Sequence, residues 1–217
     1  MLSPPDIAAR NFVADRKRLT QRQVDTLTDA NVPHVVLLSS VGAQHASGTG
    51  PIVSVHNAEA QLRASGLAAT FVRAGYFVEN WGAVLSAVKS DGVLPSFIAS
   101  EQRIPTVSTP DIGLCVAQAL LDGPRGVRVI ELSGPKDVSP SDVAKALSVI
   151  LEKTVTVSEA PLDAVVPTFT SLGVSENIAG LFRELYQAIQ EGKLTPEPGE
   201  LVRGKTELET TLRALLG

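Results

Sequence analysis

Glycine spacing is the first feature that could indicate nucleotide chemistry, because backbone N–H groups can approach a phosphate closely where side chains are absent. The sequence holds one G-x-G pattern, Gly48-Thr49-Gly50, and Val53 stands where a third glycine would complete the dinucleotide fingerprint. A polar loop rather than a strand precedes this pattern, and no G-x-x-x-x-G-K-[ST] motif occurs. The spacing therefore predicts an ordinary loop rather than a phosphate-binding turn.

Residues that could bind a metal or act as nucleophiles are few. Three histidines and one cysteine, Cys115, leave no zinc-ligand spacing and no disulfide framework. Cys115 precedes Val116 in an amphipathic helical pattern, which favours a buried, unreactive thiol. The basic run at residues 16–18, with Arg10 and Arg22, could contact an acidic partner or nucleic acid, although solvent-facing helix charges are its ordinary explanation.

Composition limits the class of protein. The 217 residues are 44% hydrophobic and 19% charged, which excludes a disordered, collagen-like or coiled-coil chain. A net charge of −4 argues against general nucleic-acid binding. No apolar run approaches the roughly 20 residues of a membrane span, and the first residues do not form a signal peptide. We expect a protein of the cytoplasm that is not membrane-bound.

The hydrophobic period alternates along the first half of the chain. An apolar stripe at helical spacing covers residues 6–29, and the short apolar run 34–38 is typical of a strand buried on both faces. A second helix is predicted to end near Ser65 with Gly66 behind it, and a second strand covers residues 69–73. This order predicts a parallel sheet with crossover helices.

The second half continues in the same manner. The following elements are predicted: a helix capped by Thr109, a half-exposed strand at 127–132, a helix with a capping box at 139–142, a short strand at 154–158, a helix at 175–191 and a terminal helix carrying Leu208, Leu212 and Leu215. The fold class is therefore α/β with helical extensions.

A series of motifs follows in fixed order through residues 35–151. They are Val35 to Ala43, Gly48-Thr49-Gly50-Pro51, Leu62 to Leu67, Phe71 to Trp81, Gly92-Val93-Leu94-Pro95, Thr109 to Gly113, Leu132-Ser133-Gly134-Pro135 and Ser139 to Ala144. Together they resemble the NmrA-like family of atypical short-chain dehydrogenases/reductases. The resemblance implies one domain over 1–217, with an incomplete Rossmann-like parallel sheet and flanking helices mainly in 1–90. It also implies a small C-terminal α/β substrate lobe mainly in 91–217.

The resemblance also exposes a departure from the family pattern. Family members carry three earlier strand–helix units with the glycine-rich turn, roughly 70–80 residues at about 30 per βαβ unit. Residues 2–6 resemble the end of the family's fourth strand and the start of its next helix. We therefore expect this chain to lack the N-terminal nucleotide-binding units and to bind NAD(P)H weakly or not at all.

The superfamily's tyrosine proton donor, with a lysine four residues later, is not reproduced. Asn80 follows Tyr76 at that spacing, and Gln190 follows Tyr186. Carbonyl reduction is therefore not expected. The catalytic residue is unknown; His56 is the one candidate acid, with a solvated helix histidine as the alternative.

By resemblance, two turns at the ends of adjacent strands would lie beside the nicotinamide of NAD(P)H. The candidate cofactor-binding residues are Ser39, Ser40, Val41, Ala74, Gly75, Tyr76 and Phe77. Open α/β sheets bind ligands at this end of their strands, although the two serines could merely cap a strand. Candidate substrate residues are Asn80, Trp81, Phe97 and Ile98, for which simple packing is the alternative.

The resemblance implies hydride transfer from NAD(P)H to a small-molecule acceptor of the quinone or azo type. The alternative is a non-enzymatic NAD(P)-sensing or regulatory module on the same scaffold. The strand at 34–38 would have only residues 1–3 beside it, and an apolar strand at an open edge tends to pair with another chain. We therefore expect self-association through this edge.

Overall fold

A computed structural model describes residues 1–4 and 6–217 of the chain. Its strands are β1 (Val35–Ser40), β2 (Ala69–Ala74), β3 (Tyr76–Phe77), β4 (Val93–Ser96), β5 (Thr106–Val107), β6 (Val127–Ser133), β7 (Thr156–Glu159) and β8 (Glu200–Arg203). Its α-helices are α1 (Phe12–Asp29), α2 (Val53–Ser65), α3 (Leu85–Asp91), α4 (Thr109–Asp122), α5 (Pro140–Leu151), α6 (Val165–Ser171), α7 (Glu176–Gln190) and α8 (Leu208–Leu216).

The main sheet has the order β1-β2-β6-β8 among the described residues, and every neighbouring pair is parallel. Ser39, Arg73 and Glu131 occupy one row across its first three strands. Helices flank both faces, so this is a Rossmann-like α/β sheet, as predicted. The main sheet contains β1 and β2 from the predicted segment 1–90 and β6 and β8 from the predicted segment 91–217. The two segments therefore share this layer of the fold.

The two faces of the sheet bury different residues because successive side chains alternate between faces. Val35, Leu37 and Phe71 pack under α1 and α2 in one hydrophobic cluster. Val36 and Val72 pack under α4 in another cluster, which the half-buried Cys115 also contacts. Burial raises the pKa of the Cys115 thiol, as expected for an unreactive cysteine.

A second, smaller sheet lies in the C-terminal lobe, where β4 and β7 pair in parallel. The core of this lobe holds Trp81, Leu94 and Leu147, with α5 and α8 packed together around it. The predicted capping box of α5 is confirmed, because Ser139 and Asp142 exchange both hydrogen bonds.

Several predicted boundaries need correction. The first helix begins at Phe12 rather than residue 6, with Asn11 as its N-cap; Pro5, within the predicted stretch 2–6, lies outside the described residues. The N-cap of α4 is Ser108 rather than Thr109, because the Ser108 side chain accepts from the Asp111 amide. The strand predicted as half-exposed, β6, is central in the sheet, and its last four residues are buried.

Met1 forms hydrogen bonds with the outer edge of β1. The Met1 amino group donates to the Val36 carbonyl at 2.5 Å, and the Leu38 amide donates to the Met1 carbonyl at 3.2 Å. This is the hydrogen-bond pattern of a parallel strand pair reduced to one residue. Among the described helices, none combines the length and the hydropathy needed to cross a membrane.

Candidate functional site

A cavity of about 460 Å³ opens at the carboxyl ends of β1 and β2. This is the end at which open α/β sheets bind ligands, and the volume lies in the range of small-molecule sites. One wall comes from the strand ends and the opposite wall from α6, α7 and the segment that follows α7. The lining residues are Ser40, Val41, Ile52, Ala74, Gly75, Tyr76, Phe77, Asn80, Ala83, Ile104, Pro105, Phe169, Phe182, Leu185, Tyr186, Ile189 and Leu194.

The strand-end wall is held by backbone hydrogen bonds. Val41 donates to the Ala74 carbonyl at 3.0 Å, Gly75 to the Leu132 carbonyl at 2.9 Å and Tyr76 to the Pro105 carbonyl at 2.8 Å. A Cβ on Gly75 would lie 2.6 Å from the Pro105 oxygen, so glycine is required for this close approach. Because these three N–H groups are already paired, they are not free to bind a ligand.

The side chains of Ser39 and Ser40, adjacent in β1, lie on opposite faces of the sheet. Ser40 lines the cavity, and its hydroxyl donates to the Val41 carbonyl at 3.0 Å. Ser39 does not line it; its buried hydroxyl donates to Glu59 of α2 at 2.7 Å. Strand alternation is the reason, since neighbouring residues cannot share one face. Ser39, a candidate for cofactor contact, is therefore bound to a structural carboxylate.

The helical wall depends on Gly50. A Cβ at this position, where φ is +61°, would lie 2.0 Å from the Leu181 carbonyl oxygen of α7. Gly48 and Thr49 lie in a loop, as predicted, whereas Gly50 begins a short 3-10 helix that runs into α2 and allows α7 to pack closely against it. Leu185, Tyr186 and Ile189 of α7 consequently reach the cavity.

Two phenols and one amide supply polar groups inside this apolar cavity. Tyr76, Asn80 and Tyr186 all line the cavity, and the two tyrosines pack against the same cluster of buried isoleucines. Burial raises the pKa of both phenols; the Tyr186 hydroxyl raises that of Tyr76 further, while the Asn80 amide opposes the shift. No charged side chain from the described residues shifts either pKa, so both phenols stay protonated at ordinary pH.

Other candidate residues lie outside the cavity lining. Phe97 packs behind it, with its ring centroid 5.2 Å from that of Tyr186. Ile98 is buried beside Ile104 and Ile189, and Trp81 is buried in the core of the C-terminal lobe. The His56 Nδ1 lies 2.8 Å from the Ala43 carbonyl oxygen, away from the lining residues. These four side chains do not contact the space a ligand would fill.

The residues that form the helical wall of the cavity were not predicted from the sequence. Its residues are Phe169, Phe182, Leu185, Tyr186, Ile189 and Leu194. The apolar stripe at 175–191 correctly predicts a helix, now observed as Glu176–Gln190. Spacing alone cannot show that this stripe faces the strand ends, because a core-facing stripe has the same period.

The chain matches the family model described as the NmrA-like family over residues 7–211. It belongs to the NmrA-like family. Among curated proteins it is 25% identical over 175 residues to an NAD(P)H azoreductase from Xenophilus azovorans, covering 81% of this chain and 61% of that protein. It is 24% identical over 172 residues to the prestalk A differentiation protein A of Dictyostelium discoideum, covering 79% and 55% respectively. The chain thus spans about three-fifths of these relatives' length.

Solved structures share the fold of this NmrA-like chain. An NADPH-dependent quinone oxidoreductase from Escherichia coli, complexed with NADPH, superimposes with a TM-score of 0.83 at 21% identity, covering 100% of this chain and 75% of that one. The triphenylmethane reductase of Citrobacter sp., complexed with NADP(H), gives a TM-score of 0.80 at 19% identity, covering 99% and 75%.

The nicotinamide ring and the diphosphate of a dinucleotide require different features of this NmrA-like chain. The cavity at the strand ends suits a flat ring such as nicotinamide, because its walls are apolar and aromatic. A diphosphate needs free N–H groups at a glycine-rich strand-to-helix turn. Close to the ends of β2 and β6, a Cβ on Gly75 or Gly134 would meet the Pro105 or Thr106 carbonyl oxygen, and Gly42, after β1, faces the Leu194 side chain. None of these three described glycines directly precedes an α-helix, so they do not form such a turn.

A buried ion cluster lies beneath the strand ends, on the α2 side of the sheet. Arg73, 4% exposed, pairs with Glu59 through two hydrogen bonds of 2.9 and 2.8 Å. Its Nη1 also binds Glu131 at 3.2 Å and Glu197 at 2.5 Å. One guanidinium therefore joins two strands, α2 and the segment between α7 and β8.

The segment after α7 reaches the cavity through this cluster. Glu197 is fixed by Arg73, and the Thr195 and Lys193 carbonyls accept from Gln44 at 3.1 Å and approach His45 at 3.2 Å. Between these contacts Leu194 lines the cavity and packs on the turn at Gly42. The ion cluster thus holds one side of the cavity in place.

Replacing Arg73 tests this cluster. Arg73→Met should lower the free energy of unfolding by about 3–5 kcal/mol, because it leaves buried carboxylates without a counter-charge. Arg128→Met is the matched control: Arg128 also pairs with two carboxylates, Asp122 and Glu200, but in a more exposed place, so about 1 kcal/mol is expected. Urea unfolding measures both; equal losses would contradict the structural role of Arg73.

The pH dependence of stability tests Glu131. Burial raises the pKa of its carboxyl, against the opposing effect of Arg73. A raised folded-state pKa means that its contribution to stability is complete below the ordinary value of 4.5 and is lost as pH rises through the folded value. Glu131→Gln should therefore gain stability relative to the parent as pH rises from about 4.5 to 8. Urea unfolding across this range measures the difference; a constant difference would show that the carboxyl does not titrate there.

Proposed function

We propose that this chain forms the nicotinamide and acceptor end of an NAD(P)H-dependent reductase site. NAD(P)H would supply the hydride, and a planar quinone-like or azo compound would accept it. The observation that carries this proposal is the cavity in which the strand ends face an aromatic helical wall. The activities for which the azoreductase and quinone oxidoreductase relatives are named support it.

Within the cavity, the strand-end wall is the proposed nicotinamide side. Ser40, Val41 and the turn from Ala74 to Phe77 line it. Since the N–H groups of Val41, Gly75 and Tyr76 are paired, a carboxamide would be oriented by the Asn80 amide and by the Ser40 hydroxyl. That hydroxyl would accept a hydrogen bond, because its own hydrogen is donated to the Val41 carbonyl. Ser39, Trp81, Ile98 and His56 take no part in this arrangement.

The opposite wall is the proposed acceptor side. Phe169 and Phe182 lie 4.7 Å apart between centroids, and Tyr186 completes the wall. A flat acceptor packed here would lie face to face with a ring at the strand ends, which is the geometry hydride transfer needs. Leu194 closes the side nearest β1 and would exclude water.

Residues 1–217 alone are expected to have a low affinity for NAD(P)H. The described residues offer no diphosphate cradle, so the contacts that supply most of the affinity for a dinucleotide are not among them. We therefore expect calorimetry with NADPH to give a Kd weaker than about 100 µM. A low-micromolar Kd would contradict this part of the proposal.

Turnover tests the reductase itself. Residues 1–217 with millimolar NADPH should reduce menadione or an azo dye, followed by the loss of NADPH absorbance. Ala83→Trp should lower this rate at least tenfold, because Ala83 is exposed at the cavity mouth and an indole there would block it. The matched control, Ala64→Trp on exposed α2 surface, should leave the rate unchanged. Binding of NADPH without any reduction would favour the non-enzymatic, NAD(P)-sensing alternative.

Self-association through the edge of β1 is a second part of the proposal. Beyond Met1 this edge borders a groove of about 520 Å³ between α1 and α4, lined in part by Val36, Val116 and Leu120. An apolar groove beside an open strand edge suits the same edge of a second copy.

Light scattering should therefore give twice the mass of the 22.8 kDa chain. Leu120→Glu should restore the monomer, because it places a charge in the groove; Leu120 is 54% exposed, so its replacement should not disturb the core. Leu172→Glu, at an exposed leucine outside the groove, is the control. A monomeric parent chain would refute this association.

A further inference from the structure

The strap, residues 192–199, connects α7 to β8 along one side of the cavity. A glycine stands at each of its ends, and Pro196 and Pro198 stand between them. Each proline fixes its own φ and restricts the residue before it, so the middle of the strap has few backbone conformations. Gly192, at a φ of +71°, and Gly199 lack this restriction. The strap is therefore a stiff piece between two ends that can rotate.

Most of the strap lies at the surface. Leu194 and Pro196 are half-buried, and its other residues are exposed. Two of its carbonyl oxygens contact the side chains of Gln44 and His45, at 3.1 and 3.2 Å. A segment with so little buried surface can leave its place at low cost, without opening the sheet beneath it.

The ion pair between Glu197 and Arg73 attaches the strap to the sheet, and this pair can break without damage to the buried cluster. The Glu197 side chain is 50% exposed, whereas that of Arg73 is 5% exposed. When Glu197 leaves, its carboxylate returns to water. Arg73 keeps its two hydrogen bonds to Glu59 and its hydrogen bond to Glu131. The buried guanidinium is therefore not left without a counter-charge, which is the costly outcome for such a group.

Leu194 is the part of the strap that reaches the cavity. It lines the side nearest β1, and its side chain fills the space in front of Gly42, where a Cβ would collide with it. On its other side it packs against the cluster formed by Ile98, Ile104 and Ile189. Because the middle of the strap is stiff, lifting its charged end would withdraw Leu194 and open the cavity on this side.

We propose that the strap is a lid, which opens when Glu197 leaves Arg73 and closes over a ligand when the pair forms again. Glu197 is thus a positioning residue that acts through Leu194 and does not itself contact the ligand. The proposal rests on the proposed function only in taking the cavity at the strand ends as the ligand site. It adds a gated entrance to that site, whatever ligand enters.

Stopped-flow fluorescence tests the lid with N-phenyl-1-naphthylamine, a neutral apolar probe whose emission rises in an apolar cavity. The signal assigned to the cavity is the part that Ala83→Trp removes. Glu197→Ala should raise the association and dissociation rate constants about three- to tenfold, the change expected for one hydrogen bond to a charged, half-exposed group. The Kd should stay nearly the same, because the ion pair holds the lid closed in both the free and the bound chain.

Glu191→Ala is the matched control. The Glu191 side chain is 41% exposed and pairs with Lys193 of the strap at 2.7 Å, so its loss removes a similar charge beside the same segment. This pair does not attach the strap to the sheet. Both rate constants should therefore equal those of the parent chain.

Two further measurements separate a gate from a general loosening of the structure. Leu194→Ala should itself raise both rate constants, and adding Glu197→Ala should then have little further effect, because Glu197 acts through Leu194. Raising KCl to about 1 M should speed entry and exit in the parent and in Glu191→Ala, since salt screens a half-exposed ion pair. In Glu197→Ala this salt dependence should be lost.

The lid and the reductase can fail separately. Rate constants that Glu197→Ala leaves unchanged, or an effect of Glu197→Ala that persists in full when residue 194 is alanine, would overturn the lid and leave the reductase standing. A parent chain that binds no probe in the cavity would overturn the lid as well. Gated binding of the probe by a chain that reduces no acceptor would contradict the reductase and support the lid.

Discussion

The arrangement of the segments around the cavity depends on one interaction, the ion pairing of the Arg73 guanidinium with three carboxylates. The guanidinium is buried near the end of β2 and binds carboxylates from α2, β6 and the segment before β8. Removing such a charge from water is costly unless it is paired, so the position of each partner is tightly constrained. Because Glu197 is one of those partners, the constraint extends to Leu194, which closes the cavity. The ion cluster on one face of the sheet thus helps to position Leu194, one of the residues that line the cavity.

Alternation along the strands keeps that charge out of the cavity. Ser39, Arg73 and Glu131 share a row that points toward α2, whereas Ser40, Ala74 and Leu132 share the next row, which points the other way. A shift of one residue in register would exchange the two rows and put a guanidinium beside the ligand space. The parallel register therefore fixes both the stability of the ion cluster and the neutrality of the cavity.

The sequence predicted what depends on local pattern. The parallel strands, the capping box of α5 and the C-terminal glycine of α2 follow from periodicity and turn chemistry, and the structure confirms them. What it could not predict depends on tertiary contact: that β6 is central, that Ser39 faces a carboxylate, and that α7 forms a wall of the cavity. Gly50 illustrates the difference, since the loop could be recognised from sequence, but the close approach of Leu181 could not.

Tertiary contact also explains why the position of Tyr186 could not be predicted. A tyrosine in an amphipathic helix normally packs its ring and leaves its hydroxyl at the surface. In α7, however, the close approach that Gly50 permits brings Tyr186 to the cavity wall, in the same cluster as Tyr76. A tyrosine followed by a lysine is a different arrangement, because the lysine lowers the pKa of a phenol that must give up its proton. Here no cation adjoins either phenol among the described residues. Burial therefore keeps both phenols protonated, the opposite of what the tyrosine–lysine arrangement does to its phenol.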